Sequence, residues 1–271
     1  MIQVTENVSV ENGFAGCNLG LVTTSEGVVM IDTPIRPSDA IKWRDTIARK
    51  GKIRYVINTE EHPDHCQSSW FFGGVLITHQ VTREKLARTP LSEVMGVVRH
   101  MDPESVGLMK DYQLRLADIA FTGSLELHLG NHTFRLFGLP GHSTGGIGVY
   151  IPDERVVFTT DICFYHFKSW LQEADPSAWL ESLRKLGALE LEAVVPGHGA
   201  VCKKEYLKEQ TGIIQGWVKA VQSAIKEGLS LEEAQARISS PDPYPKQPRT
   251  PMTEAELNKA IIAQLYQIYR S

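Results

Sequence analysis

The chain has 271 residues, 42% hydrophobic and 22% charged, enough apolar mass to bury a full core as one large domain or one domain with an appendage. A net charge of −4 with Lys and Arg scattered leaves no basic field for a phosphate backbone, so nucleic acid is not an expected partner. The N-terminus carries no leader pattern, no apolar stretch reaches the roughly 18 residues of a membrane span, and Cys17, Cys66, Cys163 and Cys202 form no CxxC pair; a cytoplasmic protein with reduced thiols and no membrane partner is expected.

In chain order, Val8–Val10, Asn18–Thr23 and Gly27–Asp32 read as short strands. Pro37-Ser38-Asp39 can cap a helix over 40–50, with Ile41, Trp43, Ile47 and Ala48 on one face. The apolar run Ile53–Ile57 predicts a strand buried on both faces. Gly73–Thr78 and Gln80–Arg88 give a strand and a helix, and the polar segment 89–117, helical around 91–100, reads as an insertion over the site. From 118 to 138 the period changes to two, and Leu125–Leu129 and Thr133–Phe137 flank a Gly130-Asn131 turn as a hairpin. Two strands follow over 147–151 and 155–160, then a helix over 176–189 and a short strand at Ala193–Val195. Residues 204–226, 231–238 and 253–269 are helical, broken by a Pro-rich stretch at 241–251. The division expected is 1–203 and a helical extension over 204–271, which either caps the sheet or makes a homodimer contact.

The chemistry-bearing residues gather immediately after strands. Asn58-Thr59-Glu60-Glu61-His62-Pro63-Asp64-His65 follows Ile57, and three Gly-rich or polar turns repeat the arrangement: Pro140-Gly141-His142-Ser143, Thr160-Asp161-Ile162 and Pro196-Gly197-His198-Gly199. Imidazoles and carboxylates at four successive strand ends point to a metal site.

On these residues the chain resembles the metallo-β-lactamase superfamily, whose hallmark is a His-x-His-x-Asp-His loop followed by distant His, Asp and His. The likeness covers roughly residues 1–200, including the Asp32 turn. It implies a four-layer αββα sandwich of two mixed β-sheets with a metal centre at one edge. It also implies one metal on Glu60, His62 and His142, a second on Asp64, His65 and His198, and Asp161 bridging them. Position 60 departs from the pattern, which has His there.

The departure can be counted in charge. Two divalent ions with Asp64, Asp161 and a bridging hydroxide carry +1, and Glu60 makes the same centre neutral. Such a centre is a weaker Lewis acid, and oxygen-rich coordination moves preference from zinc toward iron or manganese. Three readings of Glu60 stay open: it ligates and tunes the metal, it turns away and leaves one well-held ion, or the site is degenerate and non-catalytic. Glu61 has the wrong parity to substitute.

The resemblance implies two divalent ions, zinc first with iron or manganese as alternatives, and a metal-bound hydroxide that attacks a small-molecule ester, thioester or lactone while Asp64 orients it and shuttles its proton. A mono-iron or di-iron oxidative enzyme on the same fold is the alternative, and a non-catalytic member the second. Asp161, where one group of zinc β-lactamases has Cys, argues against that group. No Lys/Arg signature is assignable to a glutathione thioester, and a small acyl or lactone substrate is preferred.

Other residues receive plainer readings. Cys66 and Cys163 read as buried hydrophobes, Tyr165 and His166 as packing residues or substrate hydrogen bonders, and His79, His100, His128 and His132 as surface or packing residues. Trp70-Phe71-Phe72 is expected to pack beside the metal loop, and Trp170, Trp179 and Trp217 to lie in the core at helical positions.

Overall fold

The computed structural model describes residues 1–248 and 252–270. One sheet holds seven strands in sequential order: β1 (Ile2–Gln3), β2 (Val8–Glu11), β3 (Leu19–Thr24), β4 (Gly27–Ile31), β5 (Ile53–Ile57), β6 (Val75–His79) and β7 (Ile119–Phe121). Neighbours from β1 to β4 are antiparallel and those from β4 to β7 parallel. Parallel neighbours need crossovers, which α1 (Pro37–Ala48), α2 (Pro63–Cys66), α3 (Gln80–Arg88) and α4 (Leu91–Met101) supply.

The second sheet comprises β8 (Ser124–Leu129), β9 (His132–Gly138), β10 (Ile147–Ile151), β11 (Val156–Phe158) and β12 (Ala193–Val195), in spatial order β12-β11-β10-β9-β8, with only the β11 and β12 pair parallel. Outside it lie α5 (Pro176–Gly187), α6 (Tyr206–Lys226), α7 (Leu231–Arg237) and α8 (Glu254–Arg270). Two mixed sheets flanked by helices form the αββα sandwich expected.

Period-two side-chain alternation builds the layers. On β4, Val29 and Ile31 face the inter-sheet core, while Val28 and Met30 face outward onto Trp43 and Ile47 of α1. On the other sheet Val149, Val156, Phe158 and Val195 point inward, and Tyr150, Val157 and Val194 point out onto Trp179 of α5 and Trp217 of α6. Each such fully buried aliphatic side chain contributes about 1.5–3 kcal/mol. The outer cluster also takes in Leu257, Ile261 and Leu265 of α8, so the C-terminal helices share one core with α5. No helix among the described residues is long and apolar enough to cross a membrane.

Two local expectations are corrected. β5 is not buried throughout: Val56 and Ile57 are, but Arg54 is exposed, because β5 is covered only toward the end that carries the loop. Ser38 and Asp39 do not cap α1; Pro37 occupies its first turn, and the Ser38 N–H is satisfied by Asp102 Oδ2 at 3.0 Å, from the end of α4. The hairpin is as read, with Leu129 opposite His132 and Gly130 at φ +56°.

Candidate metal centre

The loop after β5 bends through residues 60–62, His62 has φ and ψ of −64° and 146°, and Pro63 then opens the single helical turn α2. Glu60 and His62 nevertheless face one way, His62 Nδ1 lying 3.3 Å from Glu60 Oε2. Glu61 faces the other, pairing with Lys85 Nζ and accepting from Thr82 Oγ1. The turn then brings Asp64 and His65 to the same place. Over 60–62 the expected alternation is found; adjacent Asp64 and His65 both face the cluster.

The other contributors also sit just past strands. Gly141 has φ +148°, and a Cβ there would lie 2.4 Å from Trp179 Cα, so only glycine lets the chain approach α5 and present His142. The His142 ring stands edge-on to Trp179 at 5.6 Å and to Phe164 at 5.7 Å. Gly197 is needed for closeness: a Cβ would fall 1.9 Å from Asp161 Oδ1. His198 stacks on Phe164 with centroids 5.4 Å apart.

Seven side chains from four strand ends therefore converge. Glu60, His62 and His142 offer ligand atoms within 4.8 Å of one another, as do Asp64, His65 and His198, and Glu60, His65 and Asp161. His65 Nε2 is 3.2 Å from Glu60 Oε1 and 3.3 Å from Asp161 Oδ1; His62 Nδ1 is 3.3 Å from Glu60 Oε2; His198 Nε2 is 3.3 Å from Asp161 Oδ2 and 3.4 Å from Asp64 Oδ2. Glu60 is inside this cluster and fully buried.

Carboxylates and imidazoles in the cluster set one another's charge. Burial acts to raise the Glu60 carboxyl, but His62, His142 and His65 outweigh it and hold Glu60 down to about 2; burial acts to lower His62, and Glu60 pushes it up to about 10. Burial likewise opposes ionisation of Asp161, yet His198 and His65 hold it well below the usual carboxylate range. Both Glu60 carboxylate oxygens, His65 Nε2 and Asp161 Oδ1 are buried without a hydrogen bond. Buried acceptors facing buried imidazoles without hydrogen-bond alignment match the donor set of divalent metal ions.

Asp32, noted in the sequence only as a turn, proves to be the anchor of the loop. Held at φ +59°, it accepts from the Thr59 N–H and hydroxyl, both at 2.7 Å, and its Oδ2 lies 2.9 Å from His65 Nδ1, which turns His65 Nε2 toward the cluster. Asn58 Nδ2 and the Thr33 N–H donate to the His65 carbonyl, and Cys17 Sγ to that of Asp64. A lone Asp after a strand carries no sequence signal of this role beyond its position.

A cavity of about 960 Å³ opens onto His62, Asp64, His142, Asp161 and His198. Val97, His100 and Met101 of α4 line it, so the 89–117 segment does cover the site. Trp170 also lines it, from a loop rather than a helix, and is only half-buried, correcting its reading as core; His100 is exposed, as read, and also lines the cavity. Trp179 and Trp217 are fully buried, as read; of the aromatics after the loop, Phe72 is buried and Trp70 largely exposed. Tyr165 and His166 stack on each other at a separate cavity. Cys66 donates to the Glu61 and His62 carbonyls, and Cys163 belongs to the outer core; neither Sγ joins the cluster.

A family model described as the metallo-beta-lactamase superfamily matches residues 12–198. Hydroxyacylglutathione hydrolases from Brucella ovis and Brucella abortus are 32% identical over 178 residues, 65% of this chain and 56% of theirs, so the chain matches only about half the length of these relatives. Among solved structures, a metallo-beta-lactamase family protein from Thermus thermophilus superimposes with TM-score 0.69 at 16% identity, covering 97% of this chain and 93% of that one. The inverting sec-alkylsulfatase Pisa1 from Pseudomonas sp. gives 0.72 at 15% identity, covering 98% and 49%. At such identities the structural likeness speaks for the fold alone. The chain belongs to the metallo-beta-lactamase superfamily.

Proposed function

We propose that the chain is a metal-dependent hydrolase of a small-molecule ester, thioester or lactone, with Glu60, His62 and His142 holding one divalent ion, Asp64, His65 and His198 a second, and Asp161 shared between them. The observation that carries this reading is the convergence of seven metal-ligating side chains from four strand ends, with atoms of Glu60, His65 and Asp161 buried there without a hydrogen bond. Two divalent cations held there would supply a nucleophile from water near neutral pH and positive charge against the developing oxyanion.

The chain's own residues do the rest. Asp64 is the cluster carboxylate most open to the cavity, its side chain 19% exposed against 0% for Glu60 and 7% for Asp161. It is therefore the group placed to orient an entering water and accept its proton. Asp32 fixes the ring of His65, and the Trp170 carbonyl fixes that of His142. The walls from α4 and the Phe164–Trp170 loop limit water around the substrate. The hydroxyacylglutathione hydrolases, thioester enzymes by name, support hydrolysis in general.

Metal analysis of protein purified without added metal, followed by assays on generic acyl esters, thioesters and lactones before and after chelation, tests the proposal. Zinc or manganese with chelator-sensitive turnover is expected; metal-free protein that no divalent ion activates contradicts it. Glu60 favours a harder ion than an all-imidazole set does, which keeps an iron oxidative enzyme as the second reading. Iron content with oxygen consumption would select it.

A further inference from the structure

Resting on the hydrolase reading above and its second ion, we propose that Asn18 is the positioning residue for His198. The segment Gly16-Cys17-Asn18 then governs the ion held by Asp64, His65 and His198 separately from the ion held by Glu60, His62 and His142. Asn18 directly precedes β3, a strand paired on one side by β2 and on the other by β4, and is 6% exposed. Its side-chain amide donates to the Pro196 and Gly199 carbonyls, both at 2.8 Å, and its backbone N–H donates to the Gly197 carbonyl at 2.7 Å. Both hydrogens of the amide nitrogen are therefore used on one turn. A single residue grips the chain before and after His198.

The neighbours of Asn18 reach the other ligand-bearing turn. Cys17 Sγ donates to the Asp64 carbonyl at 2.9 Å, and a Cβ at Gly16 would lie 2.8 Å from that of Asp64, so the segment lies directly against it. Asp64 and His198 are thus tied through the entry to one central strand, and their side chains meet with His198 Nε2 3.4 Å from Asp64 Oδ2. His65 and His142 take their orientation from hydrogen bonds of their own rings, to Asp32 and to the Trp170 carbonyl. The His198 ring stacks on Phe164 with an interplanar angle of 10°. Stacking sets the plane of a ring but only weakly its place within that plane. The turn backbone that Asn18 holds sets the place.

Asn18→Ala deletes the two side-chain bonds and keeps the backbone one. Equilibrium dialysis of chelator-stripped protein against zinc buffers, with anomalous diffraction at the zinc edge locating each ion, reads the outcome without turnover. Affinity for the ion on Asp64, His65 and His198 is expected to fall about tenfold or more relative to that for the other ion. Equal loss at both sites, which a merely structural role would give, overturns the proposal; so does an unaffected second ion, or a parent chain that holds fewer than two. Cys17→Ala and Cys17→Ser give a second arm should Asn18→Ala not fold. Cys17→Ala is expected to weaken the same ion selectively, and Cys17→Ser, whose hydroxyl still donates to the Asp64 carbonyl, to restore it; equal affinities in the two overturn the proposal. If the ions separate in this way but no ester, thioester or lactone is hydrolysed, the hydrolase reading falls and the positioning role stands. Hydrolysis with both ions unmoved by Asn18→Ala gives the converse.

Discussion

His142 donates its Nδ1 hydrogen to the Trp170 carbonyl across 2.9 Å, which leaves Nε2 facing Asp161 Oδ2 at 3.5 Å and Glu60 Oε1 at 3.8 Å. Trp170 is in turn held from the C-terminal part of the chain. Its indole donates to Gln247, the Lys168 N–H to the Pro245 carbonyl at 2.8 Å, and the Ser169 N–H to Asp242 Oδ2 at 2.8 Å. The Lys168 ammonium, 1% exposed, reaches Glu254 Oε1 at 2.6 Å, Ser240 Oγ at 3.3 Å and Asn258 Oδ1 at 3.4 Å.

This clamp predicts an asymmetry. Glu254→Ala leaves a buried ammonium without its carboxylate and is expected to cost about 2 kcal/mol, whereas Lys168→Met leaves only a half-exposed carboxylate and costs less. Denaturant unfolding of both variants measures the order. The reverse order would mean that the packed lysine stem, not the charge, is what matters there.

Asp32→Asn keeps one carbonyl oxygen for Thr59 and tolerates the positive φ, but it weakens the hold on His65 Nδ1. Metal affinity is expected to fall about 10–100-fold with little loss of fold. Equilibrium dialysis against a zinc buffer, with circular dichroism as the control, reads both quantities.

At position 60 the direction of change separates ligation from bystander status. Glu60→His is expected to raise zinc affinity and Glu60→Ala to lower retained metal, each by about tenfold or more, as read by metal content per chain. Chelation of the parent protein is expected to lower its unfolding free energy by about 2.7 kcal/mol relative to protein in free metal at 100 times the dissociation constant. Identical metal content in all three proteins would put Glu60 outside the ligand set.

Away from the centre, Glu154 accepts from Asn7 Nδ2 at 2.7 Å and pairs with His132 Nε2 at 2.8 Å. Burial acts to raise its pKa, but hydrogen bonds from Thr5, His132 and Asn7 outweigh burial and hold it below the ordinary 4.5. The folded value being the lower one, the folded state binds fewer protons. Its contribution to stability is complete above 4.5 and lost as pH falls through the folded value. Unfolding free energy followed between about pH 3 and pH 6 is expected to fall less steeply in Glu154→Gln than in the parent.

Much of the architecture was legible because it rests on local pattern. Alternation named the 125–137 hairpin, and strand-end placement named all seven cluster residues. The alternation of 60, 61 and 62 was readable although the backbone bends there, because Lys85 and Thr82 draw Glu61 away from the cluster. What was not legible depends on distant partners: Asp102 capping α1, Asp32 gripping His65 from 33 residues away, and Lys168 reaching Glu254 across 86. Trp170 misled because its surroundings suggest a helix, while its loop conformation is set by Gln247 and the Pro-rich segment.

Anomalous scattering collected at the zinc, iron and manganese edges from crystals grown without added metal tests the central claim most directly. Two peaks are expected, with Asp161 between them and a Glu60 oxygen ligating one. No peak at the cluster, or a single peak with Glu60 turned away from it, would contradict the account.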